Sequence, residues 1–295
     1  MPAKVLTRLS VDYNLTEHCN LSCYGCDHAS PLLAQKFAAV EEFSRDLEAL
    51  ARVFHATELR IVGGEPLLHP QLLQFLEEGR RIGIADRTVL FTNGVLLHQM
   101  SGEFWRLIDE LKISAYPGVR RRLDDGECAR LCREHGVKLE IRPLPEFSKT
   151  LVNDRIEDAK LVGAIFRECA MARTSHSVHE GRFYKCCVAP FTPSRLAQRG
   201  VDFAHAAADS VALHDNPNLY AELDRYISAG RPLGACAYCF GSSGPSVAHR
   251  QLNRSGCEAW LAENDQADIE AVGARLLGRP RLRAGLDRLR RLLHS

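Results

Sequence analysis

The chain has 295 residues, and its 38 Lys and Arg against 37 Asp and Glu give a net charge of +1 at neutral pH. Hydrophobic residues at 45% and charged residues at 25% are ordinary globular values, which excludes a disordered or fibrous chain. No apolar run approaches the roughly 20 residues of a membrane-spanning helix, and the N-terminus lacks the apolar core of a secretory signal. The balanced charge creates no overall field for nucleic acid or an anionic membrane. We therefore expect a soluble, cytoplasmic protein that binds neither.

Up to residue 145 the sequence alternates between predicted strands and predicted helices. The strands are expected at 8–12, 59–62, 88–91, 111–114 and 137–142, and the helices at 40–54, 71–81, 104–108 and 124–135. Repeated βα units imply a parallel sheet with right-handed crossovers, either open or curled into a barrel. Ligands bind such sheets at the carboxyl ends of the strands. We therefore expect the chemistry in the loops that follow Asp12, Val62, Phe91 and Ser114.

Beyond about residue 150 the alternation stops. A helix is expected at 159–169, a hairpin over 177–187 that turns at Glu180-Gly181, and another helix at 218–229. The segment 258–293 is predicted to be helical, and its end is rich in arginine: Arg279, Arg281, Arg283, Arg288, Arg290 and Arg291. A solvated helix face is the expected role of these arginines, and a site for an acidic partner is the alternative.

Eleven cysteines are many for a cytosolic chain, in which disulfides are rare and clustered thiols indicate metal or redox chemistry. Cys19, Cys23 and Cys26 lie in one loop after the first predicted strand. A structural zinc ion usually takes four ligands in two separated pairs, and here only His18 and His28 stand nearby as further candidates. Three thiolates suit a four-iron cluster that leaves one iron open for an outside ligand.

The spacing CysX3CysX2Cys after the first strand of a βα array resembles the radical S-adenosylmethionine (SAM) superfamily. One βα unit later, the second strand ends in Gly63-Gly64-Glu65-Pro66, which resembles the segment that this family uses to hold the ammonium group of SAM. Two glycines allow a close backbone approach to a ligand, and a carboxylate satisfies a cation. The resemblance covers roughly residues 8–145.

The resemblance also implies the cofactors and their contacts. The three loop cysteines would hold a [4Fe–4S] cluster that binds SAM, while Asn93, within Thr92-Asn93-Gly94, and Ser114 would contact the nucleoside and carboxylate of SAM. One position departs from the family pattern: Gly25 precedes the third cysteine where an aromatic residue is usual, and Tyr24 comes one place earlier. In this family the reduced cluster cleaves SAM to methionine and a 5′-deoxyadenosyl radical, which removes a hydrogen atom from the substrate. A flavodoxin or ferredoxin is the expected electron donor.

A second group of cysteines lies where the alternation has stopped, and it comprises Cys169, Cys186, Cys236 and Cys239. This set resembles the C-terminal auxiliary-cluster domain of the SPASM/twitch radical SAM enzymes. Because only Cys257 follows, the single-cluster twitch form is the better match, which implies a second, auxiliary [4Fe–4S] cluster. Two alternatives stay open: Cys187 in place of Cys186 as the ligand, and zinc in place of iron.

Three further cysteines have other expected roles. Cys128 and Cys132 stand four apart on a predicted helix and are expected to pack as small apolar residues. Cys257 is expected to be a plain thiol, and the alternative is a hydrogen-atom donor that quenches a substrate radical.

These patterns predict an α/β fold in three parts. A partial (βα)6 TIM-type barrel is expected over 1–150, an α+β twitch domain with the auxiliary cluster over 151–257, and a helical tail over 258–295.

The substrate is only partly narrowed by the sequence. The first predicted strand begins by residue 8, which leaves no room for the leader-binding domain that is common in peptide-modifying relatives, so a small molecule is favoured. The sequence of residues 19–31 resembles that of radical SAM proteins of carbohydrate and aminoglycoside metabolism. This resemblance implies a role in antibiotic biosynthesis. The leading hypothesis is hydrogen abstraction from a hydroxyl- or amine-bearing carbon of a sugar or aminocyclitol, ending in dehydrogenation or epimerisation.

A cationic aminosugar would need carboxylates at the mouth of the cavity. The candidates on or near strand ends are Asp12, Glu17, Asp27, Glu140 and Glu146. Two other hypotheses are kept: modification of a ribosomal peptide, and a non-catalytic zinc or iron–sulfur protein.

Overall fold

The computed structural model describes residues 5–278, and its first part is a regular array of strands and helices. Five strands run parallel in sequential order, with a helix after each of the first four. The expected alternation and the parallel α/β sheet are confirmed. The elements are β1 (Leu6–Asn14), α1 (Val40–Ala51), β2 (Phe54–Val62), α2 (Leu72–Ile82), β3 (Ala85–Thr92), α3 (Gly102–Leu107), β4 (Glu110–Ala115), α4 (Asp125–His135) and β5 (Lys138–Pro143).

Local signals set the ends of these helices. At the start of α4 the Asp124 carboxylate accepts from the backbone N–H of Glu127, and the Glu127 carboxylate accepts from the N–H of Asp124. This reciprocal cap satisfies backbone donors that the helix itself leaves unpaired. Gly136 ends the helix with φ at +69°, a left-handed conformation that favours glycine.

The second part of the chain is built from shorter elements. The hairpin expected over 177–187 is confirmed, but the helix expected over 258–293 is divided: α9 ends at Leu261 and α10 begins at Gln266. The arginines from Arg279 onward lie outside the described residues. The elements are β6 (Glu146–Ser148), α5 (Ala159–Glu168), α6 (Met171–Thr174), β7 (His176–His179), β8 (Arg182–Tyr184), α7 (Thr192–Ala197), β9 (Val211–Ala212), α8 (Leu219–Ser228), β10 (Ser246–Ala248), α9 (Arg254–Leu261) and α10 (Gln266–Leu277).

A short turn, in which Asp265 is buried, separates α9 from α10. Lys149 lies against this turn, with its Nζ 2.5 Å from the Asp265 carboxylate and 2.7 Å from that of Asp268. The backbone N–H of Asp265 donates to the Asp154 carboxylate at 2.7 Å. These contacts with distant residues favour the break over a continuous helix, and periodicity within the segment carries no sign of them.

The hairpin completes the main sheet on the free edge of β1. Strand β7 pairs parallel with β1, with Val11 opposite His176 and Tyr13 opposite Val178, so the order is β5-β4-β3-β2-β1-β7-β8-β9. The sixth parallel strand therefore comes from the hairpin, which satisfies backbone groups that an edge strand would leave unpaired. As a result the sheet continues across the boundary that was expected at residue 150.

The helices of the first part pack on one face of the sheet. Side chains such as Val11, Leu59 and Ile61 point from the strands into an apolar core with α1–α4. The rings of Phe43 on α1 and Phe75 on α2 meet in this core with centroids 5.1 Å apart. Helices on a single face are typical of a barrel, whereas an open doubly wound sheet has helices on both faces.

The opposite face of the sheet is lined by charged side chains. The Nε atom of Arg60 donates to Glu58 at 2.6 Å, and Arg87 lies between Glu58 and Glu110. Lys112 lies 3.4 Å from Glu110. Since these side chains alternate along the strands with the apolar ones, the inner face of the partial barrel is polar.

None of the helices within residues 5–278 is both long enough and apolar enough to cross a membrane.

Phe54 provides a test of the continuity between the two parts of the sheet. It was expected on the face of the first helix, but it begins β2, where it is 1% exposed and its ring lies 5.6 Å from that of Phe183 on the hairpin. We expect Phe54→Ala to lower the free energy of unfolding by about 3–5 kcal/mol, because it leaves a cavity between the two parts. Urea unfolding followed by circular dichroism measures this.

Leu9→Ala is the matched control, because Leu9 is 48% exposed on the neighbouring strand. Its effect should stay within about 0.5 kcal/mol. A loss of similar size in both variants would contradict the proposed packing of the hairpin on the barrel.

Candidate active site

The three loop cysteines lie at the carboxyl end of β1, which is where chemistry was expected. Burial raises the pKa of Cys19 and of Cys26 to about 12, and the nearby thiol of Cys23 raises both pKa values further. The three thiols are thus close enough to influence one another's charge. Thiols in such a place become thiolates when a metal centre supplies the compensating positive charge.

Asn93 reaches this loop from the end of β3. Its Nδ2 atom donates to Asn20 Oδ1 at 2.7 Å and lies 3.7 Å from Cys19 Sγ. The backbone N–H of Leu21 also donates to Cys19 Sγ, at 3.4 Å. The structure therefore brings Asn93, which the sequence had marked as a cofactor contact, next to the first cysteine.

Gly63 and Gly64 press against the same loop. Gly64 donates its N–H to Thr16 O at 2.8 Å, and a Cβ atom on Gly64 would lie 2.0 Å from His18 O. A Cβ on Gly63, whose φ is +140°, would lie 2.5 Å from Thr16 O. From the sequence we expected these glycines to allow a close approach of a ligand. In the structure they allow the close approach of the cysteine loop.

Glu65 lies behind this contact and is completely buried. Its carboxylate accepts hydrogen bonds from the Thr92 hydroxyl at 2.7 Å, from the Asn93 N–H at 2.9 Å and from the Leu67 N–H at 3.1 Å. Burial raises its pKa to about 7, although these three donors act to lower it. Glu65 therefore joins the loops after β2 and β3, and Pro66 begins the short turn that follows it.

Cys23 has two neighbours that the sequence analysis missed. Gln251 Nε2 donates to Cys23 Sγ at 3.1 Å, and His249 Nε2 lies 3.3 Å from the same sulfur. Both residues come from the chain after β10, more than 220 positions away. No local pattern marks them, because only the tertiary fold brings this segment to the loop.

Aromatic side chains surround a cavity beside the loop. The Tyr116 and His249 rings stack with centroids 4.8 Å apart, and Phe147 lies edge-on to both. The Ser114 hydroxyl lies beside the Tyr116 phenol. Tyr116 also lines a cavity of about 300 Å³ together with Asn93 and residues of the loops after β4 and β5. Tyr116 is thus a further site residue, and the sequence indicated it only by its place at a strand end.

Tyr24 does not contribute to this aromatic group. Its hydroxyl donates to the Glu263 carboxylate at 2.7 Å, its ring packs against Trp260, and the Arg250 guanidinium lies 4.2 Å from the ring centroid. The residue at the position that is aromatic in the family pattern, Gly25, faces Val247. The C-terminal segments therefore take the place that a ring at this position would occupy.

Asp12 stands out among the five candidate carboxylates. It is 5% exposed on the inner face of the sheet, its Oδ1 atom has no hydrogen-bond partner among the described residues, and Arg60 is 3.9 Å away. Burial raises its pKa to about 7. The other four candidates differ from Asp12. Asp27 is exposed, Glu17 contacts Lys36, Glu140 contacts Lys112, and Glu146 accepts a hydrogen bond from Ser246.

The second set of cysteines also converges. The N–H of Gly241 donates to Cys239 Sγ at 3.1 Å, and a Cβ on Gly241 would lie 2.9 Å from Cys169 Sγ. The thiols of Cys186, Cys236 and Cys169 all raise the pKa of the buried Cys239. Four thiols from three separate segments therefore meet in one place.

Cys186 and Cys187 share most of their surroundings: a hydrogen bond joins the two thiols, and Asp27 raises the pKa of both. They differ in that Cys186 also raises the pKa of Cys236 and of Cys239. This difference favours Cys186 over Cys187 as a member of the second set.

Within residues 5–278, no three His, Cys, Asp or Glu side chains are grouped as they would be around one metal ion. The two histidines near the first loop have other contacts: the His18 ring packs against Phe37, and the His28 ring against Phe191.

The remaining cysteines lie in apolar surroundings. Cys128 and Cys132 are completely buried in the main core, as expected. Cys257 on α9 is half-buried in a smaller apolar cluster, which also contacts Cys26, Cys186 and Cys187. Cys257 thus lies near the region between the two thiol sets.

The comparison with known families agrees with this geometry. The model of the radical SAM superfamily matches residues 13–120, a range that contains the three loop cysteines, the Gly63–Gly64 turn and Asn93. The chain contains a radical SAM domain. A domain of this kind implies SAM and a [4Fe–4S] cluster as cofactors.

Curated relatives of the radical SAM domain share part of their length with this chain. GTP 3′,8-cyclase of Petrotoga mobilis is 29% identical over 168 residues, which are 52% of this chain and 50% of the relative. GTP 3′,8-cyclase of Chlorobaculum tepidum is 33% identical over 119 residues, or 39% of this chain and 33% of the relative. The chain therefore spans half or less of the length of these relatives.

Two solved structures are similar to this chain at low sequence identity. The crystal structure of BtrN in complex with AdoMet and 2-DOIA is 12% identical and covers 77% of this chain and 84% of its own, with a TM-score of 0.49. The structure of anSMEcpe with bound AdoMet and a peptide is 18% identical and covers 47% and 44%, with a TM-score of 0.35.

The residues of the radical SAM domain fit a [4Fe–4S] cluster. Three thiols lie in one loop. Polar groups of Leu21 and Asn93 point at the sulfur of Cys19, and that of Gln251 points at the sulfur of Cys23. Hydrogen bonds to the sulfurs are among the features with which proteins tune such clusters.

Gly64→Ala tests the contact between the two loops. The new Cβ would collide with His18 O, so we expect the free energy of unfolding to fall by about 1–3 kcal/mol and the iron content after anaerobic reconstitution to drop. Gly230→Ala is the control, since a Cβ there meets nothing within 4 Å. Full iron content in Gly64→Ala would show that the loop does not depend on this contact.

The buried carboxylate of Asp12 predicts a dependence of stability on pH. Since its pKa is raised from 3.8 to about 7 on folding, the folded state binds the proton more tightly, and Asp12 favours folding at low pH. This contribution is lost as the pH rises from about 4 to about 7. Asp12→Asn should therefore gain stability relative to the unmodified protein over this range, by on the order of 1 kcal/mol per pH unit.

Urea unfolding of both proteins at several pH values measures this difference. Glu65 titrates in the same range, but it is present in both proteins and cancels in the comparison. A difference in stability that stays constant from pH 4 to pH 7 would contradict the raised pKa of Asp12.

Proposed function

We propose that this chain is a radical SAM enzyme that removes a hydrogen atom from a hydroxyl- or amine-bearing carbon of a sugar or aminocyclitol. The observation that carries the proposed substrate class is the buried carboxylate of Asp12 on the inner face of the barrel, whose Oδ1 atom has no hydrogen-bond partner among the described residues. A carboxylate in such a place suits an ammonium or hydroxyl group and repels a phosphate.

The residues of the first loop would hold the cofactors. Cys19, Cys23 and Cys26 would bind the cluster, and when bound, the cluster and SAM together supply the 5′-deoxyadenosyl radical. Gly63–Pro66, Asn93 and Ser114 would hold the methionine and nucleoside parts of SAM. The stacked rings of Tyr116 and His249, beside the cavity, offer an apolar surface for the adenine.

The second set of thiols supports an auxiliary [4Fe–4S] cluster of the twitch type. Its proposed ligands are Cys169, Cys186, Cys236 and Cys239, which meet in a buried region behind the hairpin. On this proposal 1–150 would be the radical SAM barrel, 151–257 the twitch domain and 258–295 the helical tail, with a flavodoxin or ferredoxin as the electron donor.

Two outcomes at the substrate are distinguishable by mass. In dehydrogenation the substrate would lose two hydrogens: one as an atom to the deoxyadenosyl radical, and the other as a proton to a base and an electron to the centre that the second cysteine set would hold. In epimerisation the substrate would regain a hydrogen atom on its opposite face from a thiol such as Cys257. The resulting thiyl radical would be restored by an electron from the electron donor and a proton from solvent, so the product takes up solvent deuterium without a loss of mass. A Cys257→Ala variant that still inverts the centre would exclude that thiol as the donor.

A nucleotide is the second candidate substrate. The relatives named above are GTP 3′,8-cyclases, and Arg60 and Lys112 lie on the inner face with their charged ends 5.9 and 5.4 Å from the ring centroid of Phe91. Both cations already contact glutamates, at 2.6 Å for Arg60 and at 3.4 Å for Lys112. This pairing weakens the case for a phosphate, and the aminocyclitol class is the better supported of the two.

The test is the formation of 5′-deoxyadenosine by the reconstituted protein under anaerobic conditions with SAM and a reductant. We expect release that depends on the substrate with members of an aminosugar and aminocyclitol panel, and none above background with GTP. Release with GTP alone would overturn the substrate class. Bound zinc with no nucleoside product would support a non-catalytic metal protein instead, and release with peptides alone would support a peptide-modifying enzyme.

Cys19→Ala should abolish 5′-deoxyadenosine formation, because the cluster loses one of its three ligands. Cys128→Ala is the matched control, since Cys128 is an equally small thiol that is buried in the core away from the site. Equal activity of Cys19→Ala and the unmodified protein would sink the proposed cluster site. Iron content and the visible spectrum of each variant separate a lost cluster from a misfolded chain.

A further inference from the structure

Two buried cations border the second set of thiols. Lys185 is 2% exposed and Arg195 is 1% exposed, and both are among the largest completely buried side chains in the described part of the chain. Lys185 directly precedes Cys186, and Arg195 lies on α7. Neither residue belongs to the first loop or to the inner face of the barrel.

Lys185 has no carboxylate partner. Its Nζ atom donates to Ala229 O at 2.7 Å and lies 4.8 Å from the centre of the Tyr226 ring and 5.6 Å from that of Phe166. Within residues 5–278, no Asp or Glu oxygen lies within 4.0 Å of it, although many of the other lysines have such a neighbour. A carbonyl and two rings only partly balance a buried charge, which normally requires an opposite charge nearby.

Arg195 is in the same position. Its guanidinium donates to Asn153 Oδ1 at 3.1 Å and to the carbonyls of Val152 and Tyr238 at 3.0 and 3.4 Å, while its Nε atom has no partner among the described residues. Here too the described residues place no carboxylate within ion-pair distance. Tyr238 directly precedes Cys239, so this guanidinium is bonded to the backbone of the CxxC segment.

One carboxylate, that of Asp265, attracts Arg195, but it is already paired with Lys149 at 2.5 Å. The other attracting groups are thiols of the second set: Cys236 attracts Lys185, and Cys239 attracts Arg195 more strongly than Asp265 does. As neutral thiols they would balance nothing, but cysteines become thiolates when they bind a metal centre. An iron–sulfur core with two positive charges and four thiolate ligands has a net charge of −2. This charge matches the two buried cations in number.

We propose that Lys185 and Arg195 are the built-in counterions of an anionic metal–thiolate centre at the second cysteine set, and that they raise its reduction potential. This inference rests on the proposed function, which assigns an auxiliary centre to these cysteines. The two residues are positioning residues that act through their charge and touch no substrate. Because reduction adds one more negative charge to the centre, nearby buried cations stabilise the reduced form. The centre is thereby made a better electron acceptor.

Lys185→Met tests the proposal in the full-length, reconstituted protein, since methionine keeps the length of the side chain and removes the charge. We expect the reduction equilibrium of the second centre to shift at least tenfold toward the oxidised form, which for one electron corresponds to about 59 mV. Potentiometric titration followed by electron paramagnetic resonance measures it. The signal of the first centre is recognised by its response to added SAM.

The metal-free protein gives an independent measurement. Without the centre the buried ammonium group lacks its counterion, so Lys185→Met should raise the Tm of the metal-free protein while reducing the stabilisation that metal loading provides. A role in packing alone would lower the Tm in both states. Arg195→Gln should lower the potential in the same direction, and it keeps the proposal testable if Lys185→Met fails to fold.

Two controls separate charge and burial from general effects. Lys185→Arg keeps the charge and should keep the potential. Arg231→Gln removes an exposed cation that also acts on Lys185, and solvent screening should make its effect much smaller. A loaded second centre with an unchanged potential in both Lys185→Met and Arg195→Gln would overturn the inference alone. A second set that binds no metal in the unmodified protein would overturn the proposed auxiliary centre together with the inference.

Discussion

The arrangement of the site depends on one backbone contact, between the cysteine loop and the turn after β2. Gly64 donates to Thr16 O at 2.8 Å and the N–H of Glu65 donates to His18 O at 3.1 Å, a separation that leaves no room for a side chain on Gly64. The contact places Cys19 beside Asn93, and the carboxylate of Glu65 then ties Asn93 to the same unit. Loops after three successive strands are thus held as one body, as a multi-contact cofactor requires.

The hairpin connects this body to the second thiol set. Because β7 pairs with the free edge of β1, Cys186 follows directly from an extension of the barrel sheet, and an apolar cluster that contains Tyr24, Leu151 and Val188 fills the space between the two sets. A region of this kind excludes water, which strengthens every electrostatic interaction inside it. The buried cations beside the second set, and the buried Asp12 on the inner face of the barrel, therefore act in surroundings where single charges have large effects.

The inner face of the barrel divides into paired and unpaired charges. Glu58, Arg87 and Glu110 form an ion-paired layer that fills the space between the strands, and such pairs are satisfied within the fold. Asp12 lies nearer the cysteine loop, and its Oδ1 atom has no hydrogen-bond partner among the described residues. Its neighbour Arg60, 3.9 Å away, is already paired with Glu58 at 2.6 Å. The ion-paired layer stabilises the fold, whereas the free oxygen of Asp12 is available to a ligand. This difference is the physical basis for the proposed substrate class.

Much of this protein followed from its sequence alone, because the signals involved act over a few residues. Apolar alternation located the strands, the helix predicted over 124–135 matches α4, and the spacing of Cys19, Cys23 and Cys26 indicated the family. Other features depended on residues far apart in the chain: the pairing of β7 with β1, His249 and Gln251 beside Cys23, the break between α9 and α10, and the orientation of Asp12. Periodicity and spacing carry no information about such contacts, so only the tertiary structure could decide them.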